Sequence, residues 1–371
     1  MKTLFFAVNG KHNLFFEKIK QNTACKGDIV YARKIKLPCF KALKYIHQVD
    51  LSKAIDLKTK DFKAKIGFVR FEFFIKAMYT FLAYFNYILY FGKINDSYDQ
   101  IMLWNGITFR QAIALEISKL YNLKIIVVEN GLMPNRIVVD IRGVNYLNSV
   151  PRDRAFFDNY ENMQELPNTL IPRNPKNAKK FAHTKQIELP EKYIFVPFQV
   201  DYDTQILVHS PWINDMNKLF DVIEEVANQT DIAFVFKEHP SSKKDYPHLH
   251  KRAEKNSQLF FANGHTTQEL IEKSEAVITI NSTVGIESLL FDKKVIVLGD
   301  AFYTIDGITK WAKDISELTE IVLGLEKWEL DKPLIKKFLK YLYYDYMLEG
   351  NFVDENKNQM KRIEAILGCH S

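Results

Sequence analysis

The residues best placed to do chemistry form a hydroxyl-rich turn, Asn281-Ser282-Thr283, between an apolar strand and a helix. Such a turn leaves backbone N–H groups and hydroxyls at the helix N-terminus, where partial positive charge gathers. The turn is therefore a predicted site for the phosphate of a nucleotide-type donor. Gly285 and Glu287, in the helix that follows, are included in this predicted donor site.

A second polar cluster, Lys237-Glu238-His239-Pro240, follows another apolar strand upstream of this turn. A lysine and a histidine at a strand end suit a phosphate or a carboxylate, and Pro240 keeps His239 extended. His239 is therefore a candidate hydrogen-bond donor to a leaving phosphate, with no metal required.

A third cluster, Gln199–Gln205, follows a further predicted strand and contains Asp201 and Asp203. A carboxylate there could face a substrate, but an aspartate directly after a strand is also a common helix N-cap or Asx-turn residue. Glu129, at a strand end in the first half of the chain, could be a general base or part of a buried salt bridge. For both sites the residues alone leave the two interpretations open.

Alternating apolar strands and amphipathic helices place these clusters at the strand ends of two α/β domains. The strands are predicted at Thr3–Val8, Asp28–Ala32, Gln100–Trp104, Lys124–Val128, Tyr193–Phe198, Ile232–Phe236, Gln258–Ala262, Ala276–Ile280 and Val295–Leu298. Ligands of open α/β sheets bind at the carboxyl ends of the strands. The predicted fold class is α/β and GT-B-like, with two Rossmann-like domains and an interdomain cleft.

A length of 371 residues also favours two domains. We predict an acceptor- and membrane-facing domain at 1–165, a linker rich in Pro, Asn and Lys at 166–190, and a nucleotide-sugar domain at 191–330. Helices at 331–371, including an aromatic-rich helix at Leu334–Leu348, are expected to pack across the domain junction. The N-terminal run MKTLFFAVNG indicates a first strand and turn rather than a signal peptide.

Composition argues against several classes of site. Cys25, Cys39 and Cys369 show no CxxC spacing, so neither a disulfide framework nor a zinc site is predicted, and a reducing, cytoplasmic setting is favoured. Metal binding would depend on the weak Asp201-Tyr202-Asp203 pattern alone. Nucleic acid is not an expected partner, because no recognition motif accompanies the positive charge.

Positive charge is concentrated between Tyr31 and Lys65, where ten basic residues stand against three acidic ones. An aromatic-rich run at 67–94 follows, and it contains too many charged residues for a good transmembrane span. As a helix with basic flanks it could lie on a membrane surface. The alternative is a helix buried between domains, preceded by a solvated basic loop.

With these residues assembled, the chain resembles the bacterial capsule polysaccharide β-Kdo transferases, the KpsS type in particular. The resemblance extends in order from Gln100 to Lys310. The motifs that carry it are Glu129-Asn130-Gly131 with Pro134, Gly143-Val144-Asn145-Tyr146, Pro151-Arg152-Asp153, Gln199-Val200 with Asp203-Thr204-Gln205-Ile206, Lys237 with His239-Pro240, Thr279–Ile286 and Asp306-Gly307-Ile308-Thr309.

The resemblance implies a retaining GT-B glycosyltransferase, peripheral on the inner face of the cytoplasmic membrane. It would move Kdo from CMP-β-Kdo to a phosphatidylglycerol-type lipid and so start the poly-Kdo linker of a capsular polysaccharide, with other capsule assembly proteins as further partners. It implies Asp203 as the nucleophile, Glu129 as the residue that assists proton transfer with the acceptor, and His239 as a ligand of the CMP phosphate. The expected donor-binding residues are Gln199, Lys237, Asn281, Ser282, Thr283, Gly285 and Glu287. The expected residues of the acceptor or membrane side are Asn9, Asn105, Arg110, Lys58, Lys60, Lys63, Phe73 and Phe74.

One position departs from the family pattern, since a second acidic residue usually follows the glutamate and this chain has Asn130. Two alternatives to the transferase remain. A CDP-glycerol-type phosphotransferase of a teichoic-acid-like polymer also uses a KxHP strand end, but it would need a second histidine near the strand ends of the first domain. A catalytically silent capsule-assembly scaffold would have no need of Glu129, Asp203 and His239.

Overall fold

The computed structural model describes residues 1–66, 72–167, 178–353 and 356–369. The chain forms two compact units: unit 1 is Met1–Ser149 with Tyr344–Ser371, and unit 2 is Val150–Tyr343. Residues 150–165, which the sequence analysis assigned to the first domain, therefore belong to unit 2. The final predicted segment, 331–371, is divided between the units. Residues 168–177 of the predicted linker lie outside the described residues.

Both units are built around an open sheet. The strands are β1 Lys2–Ala7, β2 Lys26–Tyr31, β3 Gln100–Trp104, β4 Lys124–Asn130, β5 Arg136–Asp140, β6 Tyr193–Pro197, β7 Ala233–Lys237, β8 Leu259–Phe261, β9 Ala276–Thr279, β10 Lys294–Val297, β11 Lys310–Trp311 and β12 Leu348–Glu349. Each strand predicted from the sequence is present with its ends shifted by no more than two residues.

Helices connect the strands in both units. The α-helices are α1 Gly10–Asn22, α2 Ser52–Ile66, α3 Glu72–Phe91, α4 Phe109–Leu120, α5 Arg154–Asp158, α6 Thr204–His209, α7 Met216–Ala227, α8 Pro247–Ala253, α9 Thr267–Lys273, α10 Val284–Leu290, α11 Ile315–Leu323, α12 Lys332–Lys340 and α13 Lys357–Ile366. Short 3₁₀ helices lie at Ala32–Lys34, Phe40–Gln48, Asn145–Leu147, Ala178–Phe181 and Leu325–Lys327. The basic segment Tyr31–Lys65, which precedes α3, is thus largely helical. The solvated basic loop considered as an alternative in the sequence analysis is not what the structure shows.

The unit 1 sheet has the order β12-β5-β4-β3-β1-β2, in which β2, β1, β3 and β4 are parallel and β5 and β12 run antiparallel to their neighbours. Side chains alternate between its faces. Leu4 and Phe6 pack against α2, α3 and α4, and Phe5 packs on the other face against α1 and α13. Burial on both faces explains why these strands are almost continuously apolar.

The unit 2 sheet has the order β11-β10-β9-β6-β7-β8 and is parallel throughout. Ile194 and Val196 face one core, which contains α7, and Phe195 faces the other, which contains α9. The parallel order brings the carboxyl ends of β9, β6 and β7 next to one another. The sequence placed its three polar clusters at the ends of these strands.

Two expectations about the end of the chain were wrong. The helix predicted at Leu334–Leu348 ends at Lys340, and a turn of π-helix, Tyr341–Tyr346, leads into β12. Cys25 and Cys369 are joined in a disulfide, with their Cα atoms 5.1 Å apart. Short-range cysteine spacing does not reveal this pair, because the two cysteines are 344 residues apart and only the fold brings them together. Cysteine usage therefore gives no support for a reducing compartment.

Candidate functional site

The strand ends of unit 2 bring the three predicted clusters together. Pro197 pairs with Lys237 on one side of β6, and Phe195 pairs with Val277 on the other. Two residues beyond β6, Gln199 therefore lies between the segment that follows β7 and the segment that follows β9. This edge of the sheet is where an open α/β sheet binds its ligands.

Gln199 and Asn281 use their side chains to join these segments. The Gln199 Nε2 atom donates to Asn281 Oδ1 at 3.0 Å, and Asn281 N donates back to Gln199 Oε1 at 3.1 Å. Asn281 Nδ2 donates to the carbonyls of Gln205 and His209. Both side chains are buried. They therefore hold the turn after β9 against α6, and the structure gives their amides partners within the protein.

The two aspartates after β6 have different environments. Asp201 is 1% exposed and accepts hydrogen bonds from Met216 N at 2.9 Å, Lys244 Nζ at 2.7 Å and Tyr246 OH at 3.2 Å. Asp203 is exposed and caps α6, with Oδ1 accepting from Gln205 N at 2.9 Å. Among the described residues, Asp203 Oδ2 has no hydrogen-bond partner, so Asp203 is the aspartate with an oxygen available to a substrate.

His239 is half-buried and its ring orientation is fixed by the backbone. Ser241 N donates to His239 Nδ1 at 3.1 Å, so the neutral ring carries its proton on Nε2. Burial lowers the pKa of His239, and the nearby Asp203 carboxylate offsets part of this shift. Tyr202 lies close to the same loop, since Lys243 N donates to Tyr202 OH at 3.3 Å. His239 therefore presents a neutral N–H donor near Asp203.

The neighbours of His239 hold its loop in place. Lys237 Nζ donates to the carbonyls of Asn263 at 2.8 Å and His265 at 2.7 Å, and burial lowers its pKa to about 8. Glu238 is buried, and burial favours its neutral form. Hydrogen bonds from His250 and Asn263 outweigh this effect and lower its pKa. Lys237 was predicted to bind the sugar-nucleotide donor, but in the structure its ammonium group donates to backbone carbonyls.

The hydroxyl-rich turn supplies a hydroxyl at the N-terminus of α10. Ser282 Oγ accepts from Val284 N at 3.2 Å, whereas Thr283 occupies the N-cap position without a side-chain capping bond. Gly285 is required because a Cβ there would lie 2.7 Å from the hydroxyl of Tyr303. The Tyr303 hydroxyl donates to Ser282 O at 2.5 Å and so fixes the turn. Glu287 is buried in the same helix.

In unit 1, Glu129 lies near the end of β4 and is held by amides. Asn105 Nδ2 donates to Glu129 Oε2 at 2.7 Å, and Asn130 donates to Oε1 through its backbone N at 2.8 Å and through Nδ2 at 3.0 Å. Asn105 has a φ of 60°, in the left-handed region that asparagine tolerates. These hydrogen bonds fix the orientation of the Glu129 carboxyl group. The buried salt bridge considered for Glu129 is absent from the described residues.

His12 lies at the same edge of the unit 1 sheet and was missed by the sequence analysis. It is 7% exposed and stacks on Trp104, with ring centroids 4.5 Å apart. Asn9 caps α1 by accepting from His12 N at 3.0 Å, so Asn9 Nδ2 faces His12 Nε2 at 3.0 Å. This contact puts the ring proton on Nδ1, and burial lowers the pKa of His12 to about 4. Its signal in the sequence was its position in the first turn of the helix that follows the first strand.

The other residues predicted for the acceptor or membrane side lie on α2, α3 and α4. Arg110 lies in the first turn of α4. Lys58 pairs with Asp61 at 2.7 Å, and Lys63 pairs with Glu72 at 2.6 Å. Lys60, Phe73 and Phe74 are exposed on α2 and α3.

Sequence comparison with known proteins relates this chain to a protein family. Residues 174–353 match the family model described as capsule polysaccharide biosynthesis protein. Protein FixF of Sinorhizobium fredii is 36% identical over 262 residues, which cover 68% of this chain and 61% of FixF. Residues 174–353 thus carry the sequence pattern of the capsule polysaccharide biosynthesis family. This confirms the family resemblance found in the sequence.

This chain is also similar in sequence to one further protein and in structure to another. It is 24% identical over 323 residues to the capsule polysaccharide export protein KpsS of Escherichia coli, covering 70% of this chain and 76% of KpsS. Its structure resembles the β-Kdo 2,7 transferase of Thermosulfurimonas dismutans KpsC with a TM-score of 0.51 and 14% identity, covering 98% of this chain and 100% of that chain. The second likeness concerns the fold, and it confirms the predicted GT-B-like α/β class. The chain spans less than two thirds of FixF.

Proposed function

We propose that this chain is a retaining glycosyltransferase that moves Kdo from CMP-β-Kdo to a phosphatidylglycerol-type lipid at the inner face of the cytoplasmic membrane. One observation carries the proposal: Asp203 has an uncommitted carboxylate oxygen at the same carboxyl edge of the unit 2 sheet as the N–H donor of His239, and its charge acts on that ring. A nucleophile and a donor for the leaving group at one edge of the sheet are what a double displacement at a sugar carbon needs. The match to the capsule polysaccharide family model and the Kdo transfer named for KpsC support the choice of donor.

In the first proposed step, Asp203 Oδ2 attacks the anomeric carbon of Kdo. The bond from that carbon to the CMP phosphate oxygen breaks, and the phosphate leaves with the electron pair. His239 Nε2–H donates to the phosphate as its negative charge grows, and the Thr283 hydroxyl is available for a second hydrogen bond. Gln199 and Asn281 act as positioning residues, because their amides hold the turn against α6.

In the second proposed step, an acceptor hydroxyl displaces Asp203 and restores the original configuration at the sugar carbon. Glu129 takes the proton of that hydroxyl as a general base. The amide donors of Asn105 and Asn130 hold the Glu129 carboxyl group in a fixed orientation for this role. Asn130 therefore contributes a hydrogen bond where the family usually has a second carboxylate.

The second candidate is a CDP-glycerol-type phosphotransferase, and His12 is the observation that favours it. This alternative needed a histidine near the strand ends of unit 1, and His12 lies there. Against it, a ring whose pKa is about 4 is a weak general base near neutral pH. Asp203 also has no role in direct phosphoryl transfer to a hydroxyl.

Transfer assays with both donors separate the two candidates. Purified protein is incubated with CMP-Kdo generated in situ and short-chain phosphatidylglycerol, and in parallel with CDP-glycerol and the same acceptor. The transferase predicts a lipid product that is heavier by one or more Kdo residues, detected by mass spectrometry. A glycerophosphate product with no Kdo-lipid would establish the alternative, and no product from either donor would favour the scaffold.

Replacement of Asn130 by aspartate is expected to lower the rate of transfer. The change removes a side-chain hydrogen-bond donor that orients Glu129 and places a like charge beside it, so the general base is less well positioned for the acceptor hydroxyl. The kcat of transfer should fall by about tenfold. Asn130→Ala is the matched control, since it removes the donor without adding charge and should lower kcat by less. An unchanged kcat for Asn130→Asp would contradict the orienting role assigned to Asn130.

A further inference from the structure

Helix α3 is apolar around most of its circumference and yet lies on the surface. Tyr79, Ala83 and Tyr87 are buried against unit 1. The opposite side of the helix exposes large apolar side chains, of which Phe81 is 69% exposed, where a surface helix normally presents polar residues. We call the exposed residues Phe73, Phe74, Met78, Phe81 and Phe85 the aromatic face of α3.

The polar residues of α3 do little to make this face hydrophilic. Thr80 Oγ1 donates to the helix carbonyl of Lys76 at 2.8 Å, and Asn86 Nδ2 donates to that of Leu82 at 2.7 Å. These side chains satisfy their hydrogen bonds on their own helix, as polar residues do in apolar surroundings. The aromatic face is thus suited to an environment that offers few hydrogen bonds.

A second group of exposed apolar residues lies next to α3 on the 3₁₀ helix Phe40–Gln48. This helix is attached to α3, because Tyr87 OH donates to Ala42 O at 2.9 Å and Tyr45 stacks on Phe91 at 5.4 Å. Its exposed apolar residues are Phe40, Leu43, Tyr45 and Ile46. The exposed apolar surface therefore extends beyond one helix.

Cations that have no ion-pair partner accompany this surface. The acidic groups of α2 and α3 are paired: Asp61 with Lys58 and Lys65, Asp56 with Lys76, and Glu72 with Lys63. In the part of the chain that the structure describes, the surplus lysines Lys41, Lys44, Lys53 and Lys60 make no ion pair, and all four are exposed. Positive charge thus remains around an apolar surface.

We propose that the aromatic face of α3 and the adjoining 3₁₀ helix dock on an anionic lipid bilayer, with α3 lying in the interface and the surplus lysines on the headgroups. Aromatic and aliphatic side chains on one side of a helix, with lysines beside them, suit the boundary between acyl chains and anionic headgroups. No helix in the described residues has both the length and the apolar character to cross a bilayer. The inference extends the proposed function, which needs a lipid acceptor, and is tested apart from it.

The first test measures co-sedimentation of the full chain with vesicles of phosphatidylcholine alone and of phosphatidylcholine with phosphatidylglycerol. We expect binding to the anionic vesicles only, and a decrease of at least about tenfold between low salt and 0.5 M salt. The double variant Phe81→Gln/Phe85→Gln should bind at least about tenfold more weakly. Lys41→Gln/Lys44→Gln removes two of the four surplus lysines and should reduce the salt dependence. The matched control, Met163→Gln/Leu323→Gln, removes exposed apolar residues of unit 2 and should bind like the wild type.

The second test separates docking from catalysis. Phe81→Gln/Phe85→Gln should transfer sugar to a water-soluble short-chain acceptor at the wild-type rate and lose activity on an acceptor embedded in vesicles. Vesicle binding without transfer to either acceptor would contradict the proposed function and leave the docking surface standing. Transfer to the short-chain acceptor without vesicle binding would overturn the docking proposal alone. A wild-type dimer that the double variant makes monomeric would assign the aromatic face to a second copy of the chain and overturn docking on lipid.

Discussion

Replacement of Asp203 by asparagine is expected to lower the transfer rate by at least about a thousandfold, because the amide cannot form the covalent bond to the sugar carbon. The fold should be retained. Asp203 is exposed and its structural task is to cap α6, which asparagine performs equally well. The melting temperature should therefore change by less than about 2 °C. Steady-state kinetics with CMP-Kdo and short-chain phosphatidylglycerol, together with thermal unfolding, measure both quantities.

The matched control for this variant is Asp215→Asn. Asp215 is half-buried and caps α7 by accepting from Lys218 N at 2.8 Å, so the same substitution at another helix cap should leave both activity and stability close to wild type. Near-normal turnover of Asp203→Asn would remove the nucleophile assignment. A loss of activity in both variants would indicate that the aspartate-to-asparagine change disturbs the structure and does not remove a nucleophile.

Among the substitutions proposed, Asp201→Ala should destabilise the fold most, lowering the free energy of unfolding by about 3 kcal/mol. The carboxylate is buried and accepts from Met216 N, Lys244 Nζ and Tyr246 OH. Its removal leaves these donors without their acceptor, including an ammonium group that is about two-thirds buried. Urea denaturation monitored by tryptophan fluorescence gives the free energy.

Asp215→Ala provides the comparison for this second variant, because it removes a half-buried helix cap with one side-chain hydrogen bond and should cost about 1 kcal/mol in the free energy of unfolding. Equal losses for Asp201→Ala and Asp215→Ala would contradict the structural role of Asp201. If Asp201→Ala were stable but inactive, the roles of the two aspartates would have to be exchanged.

The sequence predicts the strand ends well, since apolar runs bounded by polar turns mark β6, β7 and β9. Parallel order then requires their polar clusters to share one edge. The sequence does not predict which of those side chains bond to other protein groups and so do not face a ligand. That depends on contacts between segments far apart in the chain. Gln199 and Asn281, 82 residues apart, bond to each other instead of remaining free.

The same limit explains the two omissions in unit 1. His12 became noticeable only when β1 and β3 brought it against Trp104. The disulfide required the fold to bring Cys369 to Cys25. In contrast, the aromatic run of α3 was visible in the sequence, but the side that remains exposed could be identified only from what packs against the other.

The chain leaves unit 1 at Ser149 and returns to it at Tyr344, so unit 2 is an insertion within unit 1. During synthesis, unit 2 can therefore complete its parallel sheet while unit 1 still lacks β12 and α13. Until those elements emerge, the edge of β5 and the face of the sheet beneath α13 are uncovered. A ribosome-bound chain thus holds an incomplete unit 1 until β12 and α13 have been synthesised, and truncation after residue 343 should expose apolar surface in unit 1.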